Sequence, residues 1–357
     1  VTRAGSDLAA ILYTSGTTGR SKGAMLTHDN LLSNALTLAD AWRFTAADRL
    51  LHALPIYHTH GLFVATNTIL AAGASMIFLP AFEIGEMFRH LPGATAMMGV
   101  PTFYTRLLAD PRLTRESARH MRLFVSGSAP LLAETYRDFA ERTGHAVLER
   151  YGMTETNMNT SNPYDGERRA GTVGPALPGV GVRIADPQTG ELLPDGVTGM
   201  IEVKGPNVFS GYWRMPEKTR EDFRADGWFI TGDLGFMDDQ KYITIVGRAK
   251  DVIIAGGFNI YPKEIELLLD ALPGVVESAV FGVPHPDLGE AVIALLAVAP
   301  DHPRDEQAVL AAIAPALARF KQPRRILFAD NLPRNPMGKV QKAELRRRHA
   351  GILEESI

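Results

Sequence analysis

The first half of the chain alternates short apolar runs with stretches of helical periodicity. The runs that predict strands are residues 8–12, 75–79, 96–100, 123–126 and 147–149. A helix is predicted over residues 27–42, because Thr27 can cap its start and leucines recur on one face of the segment. Strands that alternate with helices are typical of a mostly parallel sheet with crossover helices. The predicted fold class is therefore α/β.

The pattern changes from about Gly171, where short strands are separated by connections rich in glycine and proline. This pattern of short strands and turns indicates a β-rich subdomain. After Lys250 a helix, two apolar strands, a second helix over residues 306–319 and a final strand indicate a compact α+β unit. The predicted domains are a large domain over residues 1–249, with an α/β part (1–170) and a β-rich subdomain (171–249), and a small domain over residues 250–357.

Composition excludes several functional classes. The 357 residues carry 37 basic and 40 acidic side chains, a net charge of −3, which provides no basic field for nucleic acid or an anionic membrane. There is no cysteine, so disulfides, thiolate metal ligands and a cysteine nucleophile are excluded together. No apolar run reaches the roughly 20 residues of a membrane helix. We predict a cytoplasmic protein with no nucleic-acid partner and no membrane insertion, and the sequence does not indicate an oligomeric state.

Residues 13–23, YTSGTTGRSKG, follow the first apolar strand directly. Glycines that expose backbone N–H groups, together with hydroxyls and one cation, are the chemistry needed to hold a polyphosphate. A Walker loop requires Ser or Thr after its Gly-Lys pair, whereas Lys22 is followed by Gly23, so this is a different kind of phosphate loop. The candidate phosphate contacts are Thr14, Ser15, Gly16, Thr17, Thr18, Gly19 and Lys22.

Three further segments place small or polar groups at the end of a strand or in a loop. Residues 149–156, ERYGMTET, turn into hydroxyl and carboxylate groups, and hard oxygen ligands of this kind suit magnesium. Residues 126–130, SGSAP, would let a flat base or an acyl group approach the backbone, although a plain strand-to-helix turn explains them equally well. Residues 332–339 form a proline- and glycine-defined loop that ends in Lys339.

These motifs, in this order along essentially the whole chain, resemble those of the adenylate-forming superfamily of acyl-CoA synthetases, luciferases and peptide-synthetase adenylation domains. The resemblance implies that ATP and magnesium bind here, with Tyr151 stacked on adenine, Thr154 at a phosphate and Glu155 on magnesium. It also implies that Asp233 and Arg248 bind the ribose hydroxyls. The further contacts that it implies along the nucleotide are Ser128, Ala129, Glu149, Arg150, Gly152 and Met153.

In the resembled enzymes the lysine that corresponds to Lys339 bridges the carboxylate and the α-phosphate. It stabilises the charge that builds as the carboxylate oxygen attacks phosphorus. The small domain then rotates about a hinge, here Lys250, and brings Gly256 and Gly257 to the tunnel that admits the pantetheine arm of coenzyme A. The resemblance also implies a long N-terminal part before the phosphate loop, so we expect this sequence, which begins at Val1, to be truncated.

Two segments bear on the acid substrate. Residues 55–61, PIYHTHG, lack the aspartate that amino-acid-activating members of the superfamily carry near this position, and they offer His58 and His60 as donors. Histidines satisfied within a loop are the alternative. A dicarboxylate needs a cation for its second carboxylate, best supplied by a bidentate arginine. Arg168 and Arg169 are the candidates, with a surface location as their alternative.

Residues 150–174 resemble malonyl-CoA synthetases in particular. This resemblance implies a ligase that joins malonate to coenzyme A through an acyl-adenylate and releases AMP and pyrophosphate, with Met153 near the acid. Methylmalonate is a second expected substrate, because one methyl group discriminates only weakly. The alternatives are a ligase for another short or aryl acid, and a nucleotide-binding fragment that is inactive without its N-terminal segment.

Overall fold

A computed structural model describes residues 2–14, 21–334 and 339–353. These residues form two compact units. The first contains residues up to Thr231 together with Gly235–Ile245, and the second contains Gly232–Leu234 and the residues from Val246 onward. The role of Lys250 as a hinge stays a prediction.

The first unit begins with an antiparallel hairpin of β1 (Leu8–Thr14) and β2 (Lys22–Thr27), in which Thr14 pairs with Lys22. The predicted helix over residues 27–42 does not follow the phosphate loop directly, because residues 22–27 pair with β1 as strand β2. The helix α1 (His28–Ala41) then follows, as predicted. The Thr27 hydroxyl accepts from the Asn30 N–H, and the Asn30 side chain accepts from the Thr27 N–H, so the helix begins with a reciprocal capping box.

Six strands form the main sheet of this unit. They are β3 (Arg49–His52), β4 (Ser75–Phe78), β5 (Ala96–Gly99), β6 (Leu123–Ser126), β7 (Leu148–Met153) and β8 (Asn157–Ser161). Their order is β4-β3-β5-β6-β7-β8, with all neighbours parallel except the final antiparallel pair of β7 and β8. The helices of this region are α2 (Thr68–Ala71), α3 (Ile84–His90), α4 (Pro101–Leu108) and α5 (Ala133–Thr143), with a π-helix at His60–Asn67 and a 3₁₀ turn at Leu91–Gly93. The predicted α/β fold class is confirmed.

The core of this part contains the main sheet, α1 and the helices that follow it. Trp42, Tyr104, Phe124 and Phe139 are completely buried there. Two of them also satisfy their polar atoms, since the Trp42 indole donates to a serine hydroxyl at 2.9 Å and the Tyr104 hydroxyl donates to a carbonyl at 2.6 Å. Large aromatic side chains with paired polar tips make this core well specified.

A buried ion pair joins the start of β3 to the start of β6. Asp48 accepts two hydrogen bonds from the Arg122 guanidinium, at 2.7 and 2.9 Å, and further bonds from the Thr45 N–H and the Thr95 hydroxyl. Burial alone would raise the pKa of this carboxyl, but the hydrogen bonds and the charge of Arg122 outweigh burial and lower it to about 2. The carboxylate is therefore charged throughout the neutral range.

The β-rich part of the first unit and its continuation form a four-stranded sheet. The elements are β9 (Gly181–Ala185), β10 (Gly199–Lys204), α6 (Pro216–Glu221), β11 (Phe229–Met237) and β12 (Ile243–Arg248), and the strand order is β12-β11-β10-β9. Two buried clusters pack against it, one centred on Ile201 and Val203 and one on Phe209, Tyr212 and Phe229.

The second unit is a five-stranded sheet covered on both faces. Its elements are a 3₁₀ turn (Ala249–Asp251), β13 (Ile253–Ala255), β14 (Phe258–Ile260), α7 (Pro262–Asp270), β15 (Val275–His285), β16 (Gly289–Val298), α8 (Glu306–Ile313), two 3₁₀ turns (Ala314–Ala316 and Arg319–Lys321), β17 (Arg325–Ala329) and α9 (Lys342–Arg348). The order is β14-β13-β16-β15, and β17 pairs with β16 in parallel. Helices α7 and α8 cover one face, and Leu345 of α9 packs on the other.

Helix α8 is shorter than the predicted 306–319. It ends at Ile313, because Pro315 lacks the N–H that would continue the helix.

Within the described part of the chain, none of the helices has the length and apolar character needed to cross a membrane.

Candidate active site

The residues that flank the central part of the phosphate loop lie at the end of β1 and the start of β2. Tyr13 pairs with Gly23 and Thr14 with Lys22, so the two ends of the loop are fixed by backbone pairing. The predicted contacts Ser15, Gly16, Thr17, Thr18 and Gly19 lie outside the described residues. Of the predicted phosphate contacts, the structure therefore describes the two that flank the loop, Thr14 and Lys22.

The Lys22 side chain is mostly buried and has defined partners. Its ammonium donates to the Tyr212 hydroxyl at 3.1 Å and lies 3.7 Å from an Asp222 carboxylate oxygen. It also lies 4.2 Å from the centre of the Tyr212 ring, a cation–π arrangement. Lys22 is thus held at one position beside the loop.

The second motif forms the turn between β7 and β8. Glu155 is buried, and one of its carboxylate oxygens accepts the Tyr212 hydroxyl at 3.0 Å. Gly152 is required here, since a Cβ atom would come within 1.8 Å of the Asn157 carbonyl oxygen. The structure therefore places Glu155 and Lys22 on either side of one tyrosine hydroxyl.

The other nucleotide contacts implied in this motif are near the same turn. Thr154 and Met153 are half-buried, and Tyr151 packs into the cluster that contains Ile201 and Val203. The described residues contain no group of three or more His, Cys, Asp or Glu side chains arranged to hold a metal. A magnesium ion at Glu155 would therefore need phosphate and water oxygens to complete its shell, which is how this ion usually binds in proteins.

Arg150 is the most unusual group in the first unit. Its side chain is buried, and its guanidinium lies so close to Gly127 that a Cβ atom there would come within 2.3 Å of Nη1. Among the described residues neither Nε nor Nη2 has a hydrogen-bond partner. Burial lowers the pKa of this guanidinium to about 9, so it is still charged at neutral pH.

Two polar groups lie beside this arginine. His60 is buried, and its Nδ1 is 3.2 Å from the hydroxyl of Ser128, whose backbone has the uncommon φ of 71°. Burial lowers the pKa of His60 well below its ordinary value, and the charge of Arg150 lowers it further, so the imidazole is neutral. His58 is only half-buried, and its Nδ1 accepts the His60 N–H at 3.3 Å. Of the two predicted histidines, His60 is thus the one that the structure places near Arg150.

Ala129 and Glu149 are the two remaining nucleotide contacts that the resemblance implies. Ala129 is exposed, whereas Glu149 is buried and accepts the N–H groups of Leu131 and Gly171, both at 3.3 Å. Burial raises the pKa of Glu149 to about 7, although these hydrogen bonds oppose the change. Both of these hydrogen bonds to the Glu149 carboxylate come from backbone N–H groups of the protein.

The structure gives other partners to the two arginines that we predicted for the second carboxylate. Arg168 donates to the carbonyls of Pro163, Ala146 and Tyr164, at 2.6 to 3.1 Å. The Arg169 guanidinium pairs with Glu167 at 2.9 Å and Asp238 at 3.0 Å, contacts Gln240, and stacks on Tyr242. Because these guanidinium groups bind the protein itself, the structure does not support Arg168 and Arg169 as carboxylate ligands.

Six of the predicted site residues belong to the second unit. Arg248 and Asp233, the implied ribose contacts, form an ion pair of 2.6 Å. Gly256 and Gly257, with φ of 59° and 82°, form the two-residue turn between β13 and β14, where two positive φ values favour glycine. Burial lowers the pKa of Lys250, and its carbonyl accepts from Arg346 at 3.1 Å. Lys339 is exposed, and residues 335–338 before it lie outside the described part.

Tyr212 was missed by the sequence analysis. It is 190 residues from Lys22 and 57 from Glu155, so no local pattern connects it to either motif. The only local signal is the Gly-Tyr pair after a β-rich stretch, which by itself predicts a turn.

Family models match both parts of the chain. The model described as AMP-binding enzyme matches residues 1–213, and the model described as AMP-binding enzyme C-terminal domain matches residues 264–339. The chain is 40% identical to a malonate–CoA ligase of Arabidopsis thaliana, over 96% of this chain and 60% of that protein. It is 38% identical to a long-chain-fatty-acid–CoA ligase of Bacillus subtilis, over 98% of this chain and 62% of that protein.

A solved structure is more similar still. ATP-bound MatB from Rhodopseudomonas palustris is 64% identical, with a TM-score of 0.97, over 99% of this chain and 70% of that chain. The chain spans about 60% of the length of the curated relatives from Humulus lupulus and Arabidopsis thaliana.

Proposed function

The chain belongs to the AMP-binding enzyme family, and from this membership we propose that it catalyses the ATP-dependent ligation of malonate to coenzyme A. In the first step a malonate carboxylate oxygen attacks the α-phosphorus of ATP, pyrophosphate leaves, and malonyl-adenylate forms. In the second step the thiol of coenzyme A attacks the acyl carbon, and AMP leaves with the electrons of the broken carbon–oxygen bond. The thiol proton is released to solvent.

The observation that carries the choice of malonate is the Arg150 guanidinium. A buried charge without a counter-charge is costly, by several kcal/mol. Nε and Nη2, the two atoms of Arg150 without a described partner, lie on the same edge of the guanidinium. Two parallel N–H groups on one edge are the arrangement that binds a carboxylate in bidentate fashion. The second carboxylate of a dicarboxylic acid would supply the counter-charge, whereas a fatty acid would not.

The groups around Arg150 support the same conclusion. His60 is neutral, and its Nε2 is buried with no hydrogen-bond partner among the described residues. If the Ser128 hydroxyl donates to Nδ1, the proton of the imidazole is on Nε2, which can then donate to an anion. A cation and a neutral donor in one buried place favour a small carboxylate over an alkyl chain.

The remaining groups have the following proposed roles. Lys22 binds phosphate oxygens of ATP, and Asp233 with Arg248 binds the ribose hydroxyls. Glu155 would hold magnesium, which when bound neutralises phosphate charge. Lys339 stabilises the charge that develops during attack on phosphorus. The cytoplasmic location stays a prediction.

The test is malonate-dependent release of AMP from ATP, magnesium and coenzyme A, with methylmalonate, acetate and benzoate in parallel. It should be run on this chain and on a version extended at its N-terminus by the corresponding segment of the R. palustris relative. We expect release with malonate and weaker release with methylmalonate. Turnover with acetate or benzoate but not malonate, or no turnover with any acid in either version, would refute the assignment.

The role of Arg150 is tested by Arg150→Lys, which keeps the charge but removes the bidentate edge. We expect kcat/KM for malonate to fall by about tenfold to a hundredfold, the range of a charged hydrogen bond, while the KM for ATP stays within about twofold. Arg169→Ala is the matched control, because Arg169 is bound to Glu167 and Asp238. Equal losses in the two variants, or a parallel rise of both KM values in Arg150→Lys, would remove Arg150 from the acid pocket.

A further inference from the structure

We propose that Tyr212 is a positioning residue that sets the places of Lys22 and Glu155, and through them the magnesium dependence of ATP binding. This proposal rests on the proposed function for the identity of the ligand. Tyr212 is joined to the two motifs by its side chain, and the segment that carries it is joined to them by its backbone. Each of these connections is seen separately in the structure.

The segment around Tyr212 runs between the two motifs. The Trp213 N–H donates to the Gly23 carbonyl at 2.8 Å, next to Lys22, and the Gly211 carbonyl accepts from the Met25 N–H at 2.9 Å. On the other side the Phe209 N–H donates to the Glu155 carbonyl at 2.8 Å. A short stretch of chain therefore fixes the backbone of β2 relative to the turn that carries Glu155.

The local shape of this stretch is also specified. Gly211 has a φ of 131°, and a Cβ atom there would come within 2.7 Å of the Thr219 methyl group. The Tyr212 N–H donates to the Thr219 hydroxyl at 2.9 Å. The Tyr212 ring is buried and packs edge-on against Phe209, with ring centres 4.8 Å apart. The side chain therefore has little freedom to take another position.

The direction of the two hydrogen bonds follows from the groups involved. An ammonium can only donate, so the Tyr212 oxygen accepts from Lys22, and its O–H donates to the Glu155 carboxylate. A tyrosine hydroxyl ordinarily has a pKa of about 10, so the phenol keeps its proton at neutral pH. A neutral hydroxyl thus lies between a cation that serves phosphate and an anion that serves magnesium.

The separation of Lys22 from Glu155 by a neutral hydroxyl affects how strongly each charge can bind a ligand. Opposite charges in a poorly solvated site attract strongly, and a direct Lys22–Glu155 ion pair would use the charges that phosphate and magnesium need. The Tyr212 hydroxyl binds both groups and is itself neutral, so the counter-charge described for Lys22 is the more distant Asp222 carboxylate, at 3.7 Å. Removing the hydroxyl alone lets the lysine and the carboxylate approach each other, and metal binding then has to compete with that ion pair.

The test is Tyr212→Phe, which removes the hydroxyl and keeps the ring that packs against Phe209 and Lys22. The magnesium concentration that gives half-maximal malonate-dependent ATP–pyrophosphate exchange should rise by about tenfold, the lower range for a hydrogen bond to a charged group. The KM for malonate should stay within about twofold. Tyr242→Phe is the matched control, because its hydroxyl also donates to the protein, to the Glu167 carbonyl at 2.8 Å, away from the phosphate loop.

A purely structural role predicts a different result. In that case Tyr212→Phe would lower the melting temperature and the active fraction, and the magnesium requirement would be the same as in the wild type and in Tyr242→Phe. That outcome would overturn the proposal. The exchange assay should therefore be accompanied by thermal melts of the three proteins.

Calorimetric titration with ATP separates this proposal from the proposed function. Each protein is titrated with and without magnesium, and no turnover is needed. If the wild type binds ATP in a magnesium-dependent manner but activates no acid, the proposed function fails and the Tyr212 proposal is still tested by the magnesium dependence of Tyr212→Phe. Magnesium dependence that is unchanged in this variant, or the absence of ATP binding in the wild type, overturns the Tyr212 proposal.

Discussion

Glu149→Gln is expected to make the protein more stable at alkaline pH. Burial raises the pKa of the Glu149 carboxyl from 4.5 to about 7 in the folded protein. Between these two values the folded protein keeps a proton that the unfolded chain has released, so the free energy of unfolding falls as the pH rises through this window. At 1.36 kcal/mol for each unit of difference, the charged carboxylate costs the fold about 3 kcal/mol above pH 7.

Glutamine is a close substitute for the protonated acid. Its carbonyl can accept one of the two N–H groups that Glu149 binds, from Leu131 or Gly171, and it carries no charge at any pH. We therefore expect the variant and the wild type to be similar in stability at pH 5. At pH 8 the variant should have gained about 2 kcal/mol relative to the wild type.

The assay is urea unfolding of both proteins at pH 5, 6, 7 and 8. Taking the difference between the proteins at each pH cancels the contributions of all other titrating groups. Glu141→Gln is the control, since it is the same substitution at an exposed position of α5. A wild-type-to-variant difference that does not change from pH 5 to pH 8 would show that the carboxyl is not destabilised by burial, and the reasoning would fail.

Two further predictions concern other charged groups. Asp48→Asn should destabilise the protein by about 2 kcal/mol or more at pH 7, because the hydrogen bonds and charge of Arg122 hold the pKa of this carboxyl at about 2 in the fold. This deficit should shrink as the pH falls below 3.8 towards 2, and a deficit in urea unfolding that is the same at pH 7 and pH 3 would contradict it. Lys339→Ala should abolish formation of malonyl-adenylate while leaving transfer from supplied malonyl-adenylate to coenzyme A largely intact. Equal loss of both half-reactions in a folded variant would count against the role of Lys339.

Local signals were sufficient for much of the fold. Helix α1 was predicted from Thr27 and a leucine stripe, and both act within a few residues of each other. The apolar runs that became β5 and β6 were equally recognisable, because strands buried in a parallel sheet are apolar along most of their length. The run that became β4, at the edge of the sheet, was also predicted. Strand β2 was missed because its partner, β1, determines it more than its own short sequence does.

The candidate site could be predicted less well from the sequence, because the burial and the hydrogen-bond partners of its residues are set by distant parts of the chain. Arg150 and Arg168 are the same residue type in one region, yet the backbone carbonyls around Arg168 occupy its donors and those around Arg150 do not. The Tyr212 hydroxyl joins residues from two remote segments. No spacing rule connects such residues, and only the packed fold brings them together.

The capped start of α1 changes how the phosphate loop can attract an anion. In many nucleotide-binding folds the free N–H groups and partial positive charge of a helix N-terminus face the phosphate. Here the Asn30 N–H is already bound by the Thr27 hydroxyl, and β2 separates the helix from the loop. In the proposed phosphate site the formal charge among the described residues therefore comes from Lys22, whose mostly buried side chain salt screens only in part. Compared with a loop that opens a helix, this arrangement replaces a backbone dipole with the formal charge of one side chain, which its contacts with Tyr212 and Asp222 hold in place.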